Sequence, residues 1–519
     1  PNEKNEDDVY KLQASATIID YKTGQVKVLI GGRGNQPSAS LNRAYFDLKS
    51  IGSTTKPLTV YGPAIDTKLI TAGTPLDDTS VSEEILEKYN FGSVVPKNAD
   101  GSMFGYITAR EALTYSKNLT SIKTVDMLGL DTALNYGKKA GLKYAPQSHT
   151  MSALALGQFD QPIGNRDGGN TTILASAYGA FGNNGVIYEP ALYTKVEDAS
   201  GNLLLEKEPI STKLFSPQTS YIIYDILKGS STSAQFNDIP VAGKTGTTNS
   251  SDNFWFAGLT PYYSGSVWIG YDNPQRMNGK SSSAASLFSK IMAVAHEGLE
   301  YKDIEKPSGL VEAKVCKDSG KSPTDLCYED QRGNRVKTEY FIDGTQPKSV
   351  CDIHVSVSVN SSNNKLANKN TPSRLIEDKV FINKPNANPN ADDYPFVVPT
   401  REDDTKAEEY IKLSEIGLRA DMDLYDAIVI LNNRGIKYKI HGASVASNIS
   451  SGQYTLVSFT EKIKNSETVK LNVKVTTNTP DENIGNNGNN HNRDTSTSDT
   501  DAEAHRTSIS DIINGLFNH

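Results

Sequence analysis

Apolar and polar residues alternate with a period of two on both sides of Tyr21-Lys22-Thr23-Gly24, in Ala16-Thr17-Ile18-Ile19 and in Val26-Lys27-Val28-Leu29. Successive side chains of a strand point to opposite faces, so this pattern predicts a β-hairpin over Gln13 to Ile30. Strand-like runs return around Ile239, in Val241-Ala242, Phe254-Trp255-Phe256 and Val267-Trp268-Ile269, separated by turn residues at Asn249 to Asp252 and Pro261 to Gly265. The sequence between these ends reads as helical. Thr108-Ala109-Arg110-Glu111 is a capping-box sequence that opens a short helix, and apolar segments follow at Leu119 to Leu128, Thr132 to Ala140 and Ile173 to Phe181. Strands first, helices next and strands last predict an α+β domain: an antiparallel sheet drawing strands from both ends of the segment, with the helices packed on it.

A chain of 519 residues can bury one large core and leave room for smaller domains. The first domain is expected over residues 9–305. Beyond Lys306 the composition shifts to Lys, Asp, Ser and Thr and includes all three cysteines, Cys316, Cys327 and Cys351, which predicts an extension over 306–378 draped on that domain. The run Asn383-Lys384-Pro385-Asn386-Ala387-Asn388-Pro389-Asn390 offers little to bury and reads as part of a linker over 379–395. A helix-like run, Leu424 to Asn432, and strand-like runs at Ile436 to Ile440, Tyr454 to Phe459 and Val469 to Val475 predict a small α/β domain over 396–475. Residues 476–519, rich in Asn, Gly, Thr, Ser and Asp, are expected to be a disordered tail, and 1–8, charged and polar, a linker.

The net charge of -8 and pI near 5.6 argue against a sequence-independent nucleic-acid binder, which needs a basic surface to displace counterions from phosphates. No apolar stretch is long enough to span a bilayer and no signal-peptide pattern is present, so the chain as written is expected to be soluble. It begins at Pro1 on linker-like residues, from which an N-terminal truncation is expected. Three cysteines are compatible with an exported protein.

Acyl-transfer chemistry needs an activated nucleophile, a proton carrier and a site for the oxyanion. A Ser-His-Asp triad finds no support: no Gly-x-Ser-x-Gly elbow occurs, and His149 and His296 have no evident partners. No His-Glu-x-x-His metal motif occurs either. What the first domain offers is Ser53-Thr54-Thr55-Lys56, then Ser116-Lys117-Asn118, then Lys244-Thr245-Gly246-Thr247. Gly52 frees the backbone before Ser53 and Pro57 suits a first helical turn, so a helix starting there puts Lys56 on the face of Ser53, its amine within reach of the hydroxyl. Ser116 and Asn118, two apart in an irregular segment, can face one cleft. Lys244 to Thr247 suits a strand along the opposite wall, with a cation and hydroxyls for a substrate carboxylate and Gly246 admitting a peptide close to the backbone. Ser-x-x-Lys and Ser-x-Asn each occur by chance in most long chains, and Lys-Thr-Gly, though rarer, also reads as a simple turn. Their order and placement argue against coincidence.

Gln13 to Gly32, Gly52-Ser53-Thr54-Thr55-Lys56-Pro57, Ala153-Leu154-Ala155-Leu156-Gly157, and Gly243-Lys244-Thr245-Gly246-Thr247-Thr248 followed by Phe254-Trp255-Phe256-Ala257-Gly258 resemble class A penicillin-binding proteins of Gram-positive bacteria. The similarity runs from about Val9 to Glu300 and more weakly through the cysteine region. It implies the penicillin-binding serine-transpeptidase fold and a serine D,D-transpeptidase that cross-links peptidoglycan stem peptides and is acylated by β-lactam antibiotics. It further implies Ser53 as nucleophile, Lys56 as its activator, Ser116 as proton relay, Lys244 as electrostatic partner, Asn118, Thr245, Gly246 and Thr247 as substrate contacts, and an oxyanion hole from the N–H groups of Ser53 and Thr247. No cofactor is implied. The family's glycosyltransferase domain and membrane anchor are absent from this sequence, so membrane contact is expected only through that missing anchor, at the extracellular face of the cytoplasmic membrane. Phe46-Asp47-Leu48-Lys49-Ser50 departs from the arginine- and proline-bearing segment expected there.

A D,D-carboxypeptidase, which uses water as acceptor, and a non-catalytic β-lactam or muropeptide sensor share these motifs. A β-lactamase needs in addition a water-activating base, which the sequence does not offer. The small C-terminal domain resembles a PASTA domain, through Asp426-Ala427 to Gly435-Ile436 and the strand Val469 to Val475. Cys316, Cys327, Cys351 and His354 end in Cys-x-x-His and supply the ligands of a Cys₃His zinc site; one disulfide plus a free thiol is the competing reading.

Overall fold

Both predicted groups of strands meet in one five-stranded antiparallel sheet, ordered Gln25–Ile30, Leu12–Asp20, Ser264–Tyr271, Asn253–Leu259, Ala242–Thr247. The computed structural model describes the chain except residues 1, 35, 39, 93, 160–166, 406–410, 443–448, 465–466 and 477–519. The tail expected over 476–519 thus lies outside the described residues from 477 onward.

The central strands are buried on both faces, which explains their nearly continuous apolar stretches. Phe254, Phe256, Ala16, Ile18 and Val267 form one core with Phe288 and Met292 of the helix Ser282–Ala295. Trp255, Ala257, Leu259 and Trp268 face the larger core, built with Leu174, Ala177 and Tyr178 of the helix Thr171–Gly179. Thr17 bridges sheet and helix through the hydroxyls of Thr171 (2.9 Å) and Thr172 (3.2 Å). The helices Asn118–Leu128 and Leu130–Lys139 extend this second core, and Pro217–Lys228 packs beside the end strand Ala242–Thr247.

The chain divides into two compact units, Pro1–Ala407 and Glu408–His519. In the first, two hairpins follow the sheet, Leu310–Cys316 with Val336–Ile342 and His354–Asn360 with Ile376–Ile382. The first hairpin docks through a buried ion pair, Arg110 Nε and Nη2 donating to the Glu339 carboxylate at 2.6–2.8 Å, with Asp225 2.7 Å from the same guanidinium. Residues 379–395 do not behave as a linker. Asp392 N–H donates to Met103 O (2.8 Å), and Asp393 Oδ2 accepts from Tyr106 N–H (3.0 Å) and Lys384 Nζ (3.0 Å). Composition misled here because the segment's polar residues make specific hydrogen bonds, while Val380, Phe381, Ile382 and Ala391 are buried. Residues 2–8 likewise fold back, with Lys11 N–H donating to Glu3 O (2.9 Å).

The second unit begins at Glu408, twelve residues later than the 396 expected. It pairs the helix Leu424–Asn432, capped by Asp423, with a three-stranded sheet ordered Tyr438–Gly442, Val469–Val475, Tyr454–Phe459. Leu424, Ala427, Leu431, Leu456 and Leu471 form its core.

Candidate active site

Ser53 sits in a tight 3₁₀ turn, Gly52–Thr55, that widens into a π turn at Pro57–Tyr61 before an α turn begins at Gly62. A helix starts where the sequence places it, but not as a regular α-helix. In a 3₁₀ turn residues three apart eclipse, which stacks Lys56 under Ser53. The turn is held from several sides. Ile51 N–H and Gly52 N–H both donate to Gly157 O (3.1 Å), Trp255 Nε1 donates to Ser50 O (2.9 Å), and Tyr178 Oη donates to Thr54 O (2.8 Å).

Two glycines make this packing feasible. Gly157 ends the helix Met151–Leu156 at φ 68°, and a Cβ there would lie 2.1 Å from Gly52 O. Gly52, at φ 55°, lies against the end strand of the sheet, where a Cβ would meet Thr247 O at 2.5 Å and Thr247 N at 2.7 Å. The backbones of Ser53's turn and of Thr247 are therefore in contact.

The capping box at Thr108 and Glu111 opens the helix Ala109–Thr114. Ser116 follows at φ 60°, in the left-handed region that non-glycine residues adopt at a cost of about 1–3 kcal/mol. The reversal points Ser116 and Asn118 into one cleft of about 480 Å³, which Ser53, Thr245 and Thr247 also line. Lys117 between them turns inward. It is 1% exposed, and its ammonium donates to Asp100 Oδ2 (2.9 Å) and Ser102 Oγ (2.6 Å), lies 3.5 Å from Asp78 Oδ2, and caps the Phe104 ring at 3.4 Å. Asn98 completes the support: its Oδ1 accepts from Asn118 N–H (2.7 Å) while its Nδ2 donates to Asp78 Oδ1 (2.7 Å).

Lys56 is fully buried and donates to Ser116 O (2.7 Å), Lys117 O (3.0 Å) and Asn118 Oδ1 (2.8 Å). Three acceptors favour the ammonium, but burial, and then the nearby Lys244 cation, hold its pKa well below the ordinary lysine range. No hydrogen bond joins Lys56 to Ser53 among the described residues, so the reach expected from spacing is not made in this state. Lys244 does not line the cleft either. Its register opposite Ala257 puts it on the sheet face that carries the larger core, where burial lowers its pKa to about 8. Thr245 and Thr247, on the alternate positions, carry the strand's contribution to the cleft, and Gly246, buried, lies where a Cβ would meet Ile51 O at 2.3 Å.

The spacing arguments did not find Lys117, Asp78, Asn98, Gly157 or Gln158, whose Oε1 accepts from Asn249 N–H (3.2 Å). Gly157 and Lys117 carried a signal only as members of Ala153-Leu154-Ala155-Leu156-Gly157 and Ser116-Lys117-Asn118. The three cysteines and His354, remote from these motifs in sequence, come together as three free, buried thiols around one imidazole.

The chain is 53% identical over 381 residues to penicillin-binding protein 1A of Clostridium perfringens, covering 71% of this chain and 46% of that protein. It is 45% identical over 383 residues to penicillin-binding protein 1A of Clostridium botulinum, covering 72% and 45%. The chain thus spans about half the length of the curated relatives it matches. Penicillin-binding protein 1A from Haemophilus influenzae shares the fold in its crystal structure, at 20% identity and a TM-score of 0.55 over 66% of this chain and 55% of that one. Residues 306–356 match the family described as penicillin-binding protein 1A, C-terminal domain. Residues 14–293, which include Ser53, Ser116 and Lys244, match the penicillin binding protein transpeptidase domain, and the chain belongs to that family.

Proposed function

We propose that this chain is a penicillin-sensitive serine D,D-transpeptidase that joins peptidoglycan stem peptides through an acyl-enzyme, acting on the extracellular face of the cytoplasmic membrane. The observation that carries the reading is the convergence of Ser53, Ser116, Asn118, Thr245 and Thr247 on one cleft backed by Lys56, a lysine biased toward its neutral form.

A neutral Lys56 gives up one of its three donor contacts and turns a lone pair to Ser53. Ser53 Oγ attacks the penultimate D-alanine carbonyl carbon and its proton passes to Lys56 Nζ. The oxyanion is met by the N–H groups of Ser53 and Thr247, whose backbones touch through Gly52. The peptide C–N bond breaks as the leaving D-alanine nitrogen takes a proton through Ser116 Oγ. An acceptor amine then attacks the ester, loses a proton and releases Ser53. The strand Ala242–Thr247 ends the sheet, so a stem peptide can lie along it by strand addition, with Asn118, Thr245, Gly246 and Thr247 as its contacts. Lys244 acts from behind that strand as a positive charge that is present below about pH 8.

Intact-mass analysis with a labelled penicillin tests this. One adduct per chain on the native protein and none on Ser53→Ala are expected; mass added to the variant would falsify the assignment. Release of D-alanine from a stem peptide together with formation of a cross-linked product separates the reading from a sensor and from a carboxypeptidase.

For the second unit we infer a PASTA-like module. The helix Leu424–Asn432 packed on a three-stranded sheet supports that resemblance. Its expected role is contact with wall material, measured as retention on isolated cell walls with and without residues 408–519.

A further inference from the structure

The two hairpins after residue 306 bury single apolar side chains such as Val315, Phe341, Val359 and Ile382, but the cluster that lies between them is small. Between them the buried cluster consists of Cys316, Cys327 and Cys351, with Val336 and Ile353 packed against it among the described residues. Two-stranded ribbons are marginal in water, and small modules without a core usually depend on a cross-link or a metal.

The four side chains are arranged for the second solution. Cys316 ends one strand, Cys327 closes a 3₁₀ turn, and Cys351 and His354 lead into the next hairpin. The three Sγ atoms and a ring nitrogen of His354 all lie within 4.8 Å of one another. Nδ1 is 3.4 Å from both Cys316 Sγ and Cys351 Sγ. A tetrahedral zinc with bonds of about 2.0–2.3 Å sets its ligand atoms about 3.3–3.8 Å apart, so these groups need only a small contraction. The other ring nitrogen, Nε2, meets Asp330 Oδ2 at 3.0 Å and Asp318 Oδ2 at 3.4 Å. Those carboxylates are clamped by Arg332 and Arg335. A carboxylate on the far nitrogen fixes the tautomer that leaves Nδ1 free to ligate. All four residues are buried and all are protein donors, so no position remains open for a substrate.

We propose that Cys316, Cys327, Cys351 and His354 bind one zinc-class divalent ion in a closed Cys₃His site that serves as the core of this extension. Binding converts three thiols to thiolates and releases their three protons to solvent. The ion then stands next to the docking surface: Lys317, one residue past Cys316, pairs with Glu111 of the helix that leads to Ser116.

The full chain, purified without chelator, is expected to carry one equivalent of zinc. After chelation under reducing conditions, titration with Co²⁺ alone should saturate at one equivalent, with the thiolate-to-cobalt band and the visible bands of a tetrahedral site. Excess Zn²⁺ should bleach them. Cys327→Ser and His354→Ala should each alter the cobalt spectrum, and Asp330→Asn should weaken metal affinity about 10–100-fold while leaving the band positions in place. Melting temperature should fall on chelation and recover with Zn²⁺. The cobalt titration of the unmutated protein stands even if a variant fails to fold. A reduced protein that takes up no Co²⁺, a disulfide joining two of the cysteines in the native chain, or a cobalt spectrum unchanged in Cys327→Ser would each overturn the assignment.

Discussion

Lys56 and Lys244 repel one another behind the same cleft, and their opposite requirements predict a pH profile. Ser53 activation needs Lys56 neutral, so the penicillin acylation rate should rise with pH and reach its plateau well below the range where an ordinary lysine titrates. The carboxylate of the substrate needs Lys244 charged, and burial sets that pKa at about 8, so the profile should fall again near pH 8. Lys244→Arg keeps the cation at all accessible pH and should move only the descending limb upward; an unmoved limb assigns it to another group. Gly157→Ala places a methyl 2.1 Å from Gly52 O at a left-handed φ, so acylation should slow at least tenfold while the global fold survives, measured by stopped-flow acylation and far-UV circular dichroism. The nucleophile and its two companion motifs were legible in the sequence because their residue types are chemically specialised and their order is informative. Lys117, Asp78 and Asn98 were not, because what matters about them is a network closed between segments with no common spacing. Lys244's turn away from the cleft depends on strand register, which residue type does not encode.

At the scale of elements, alternation revealed the first hairpin and apolar runs bounded by turn residues revealed the later strands, and the capping box marked the helix before Ser116 correctly. The turn at Ser53 was legible as a helix start but not as 3₁₀ followed by π. That sequence of turns arises because Pro57 has no N–H to donate, and because Gly157, Trp255 and Tyr178 fix the incoming backbone from outside. The helix Ala109–Thr114 is held from the opposite side by Glu339, which is buried with Arg110. Removing one partner of such a pair leaves the other charged and dry. Glu339→Ala should therefore destabilise the first unit by about 3 kcal/mol, the low end of the range because Asp225 still faces Arg110. Urea unfolding is the measurement. A change below about 0.5 kcal/mol would show that the hairpin docks without this pair.

On the scale of the whole chain, the position at which it can be cut distinguishes a linker from a fastened strap. Composition predicts that everything after about Asn383 is dispensable to the cleft, whereas the structure carries the first unit on to Ala407. Asp393 satisfies Tyr106 N–H on the strand Gly105–Thr108, which leads directly into the capped helix and Ser116. Farther on, Asp403 accepts hydrogen bonds from Asn360 Nδ2 (3.0 Å), Thr371 Oγ1 (2.7 Å) and Asn363 Nδ2 (3.0 Å), closing the base of the second hairpin. A chain ending at Ala407 should keep the melting temperature and penicillin acylation rate of the full protein, since the second unit has its own core. A chain ending at Ile382 should lose both, because it leaves the Tyr106 N–H without its acceptor and the Asn360 and Thr371 side chains without theirs, each unsatisfied buried group costing about 1–3 kcal/mol. Differential scanning calorimetry and acylation kinetics on the two truncations decide it. Equal behaviour of the two would restore residues 383–407 to the role of a linker, while slow acylation in the longer one would show that the second unit acts on the cleft.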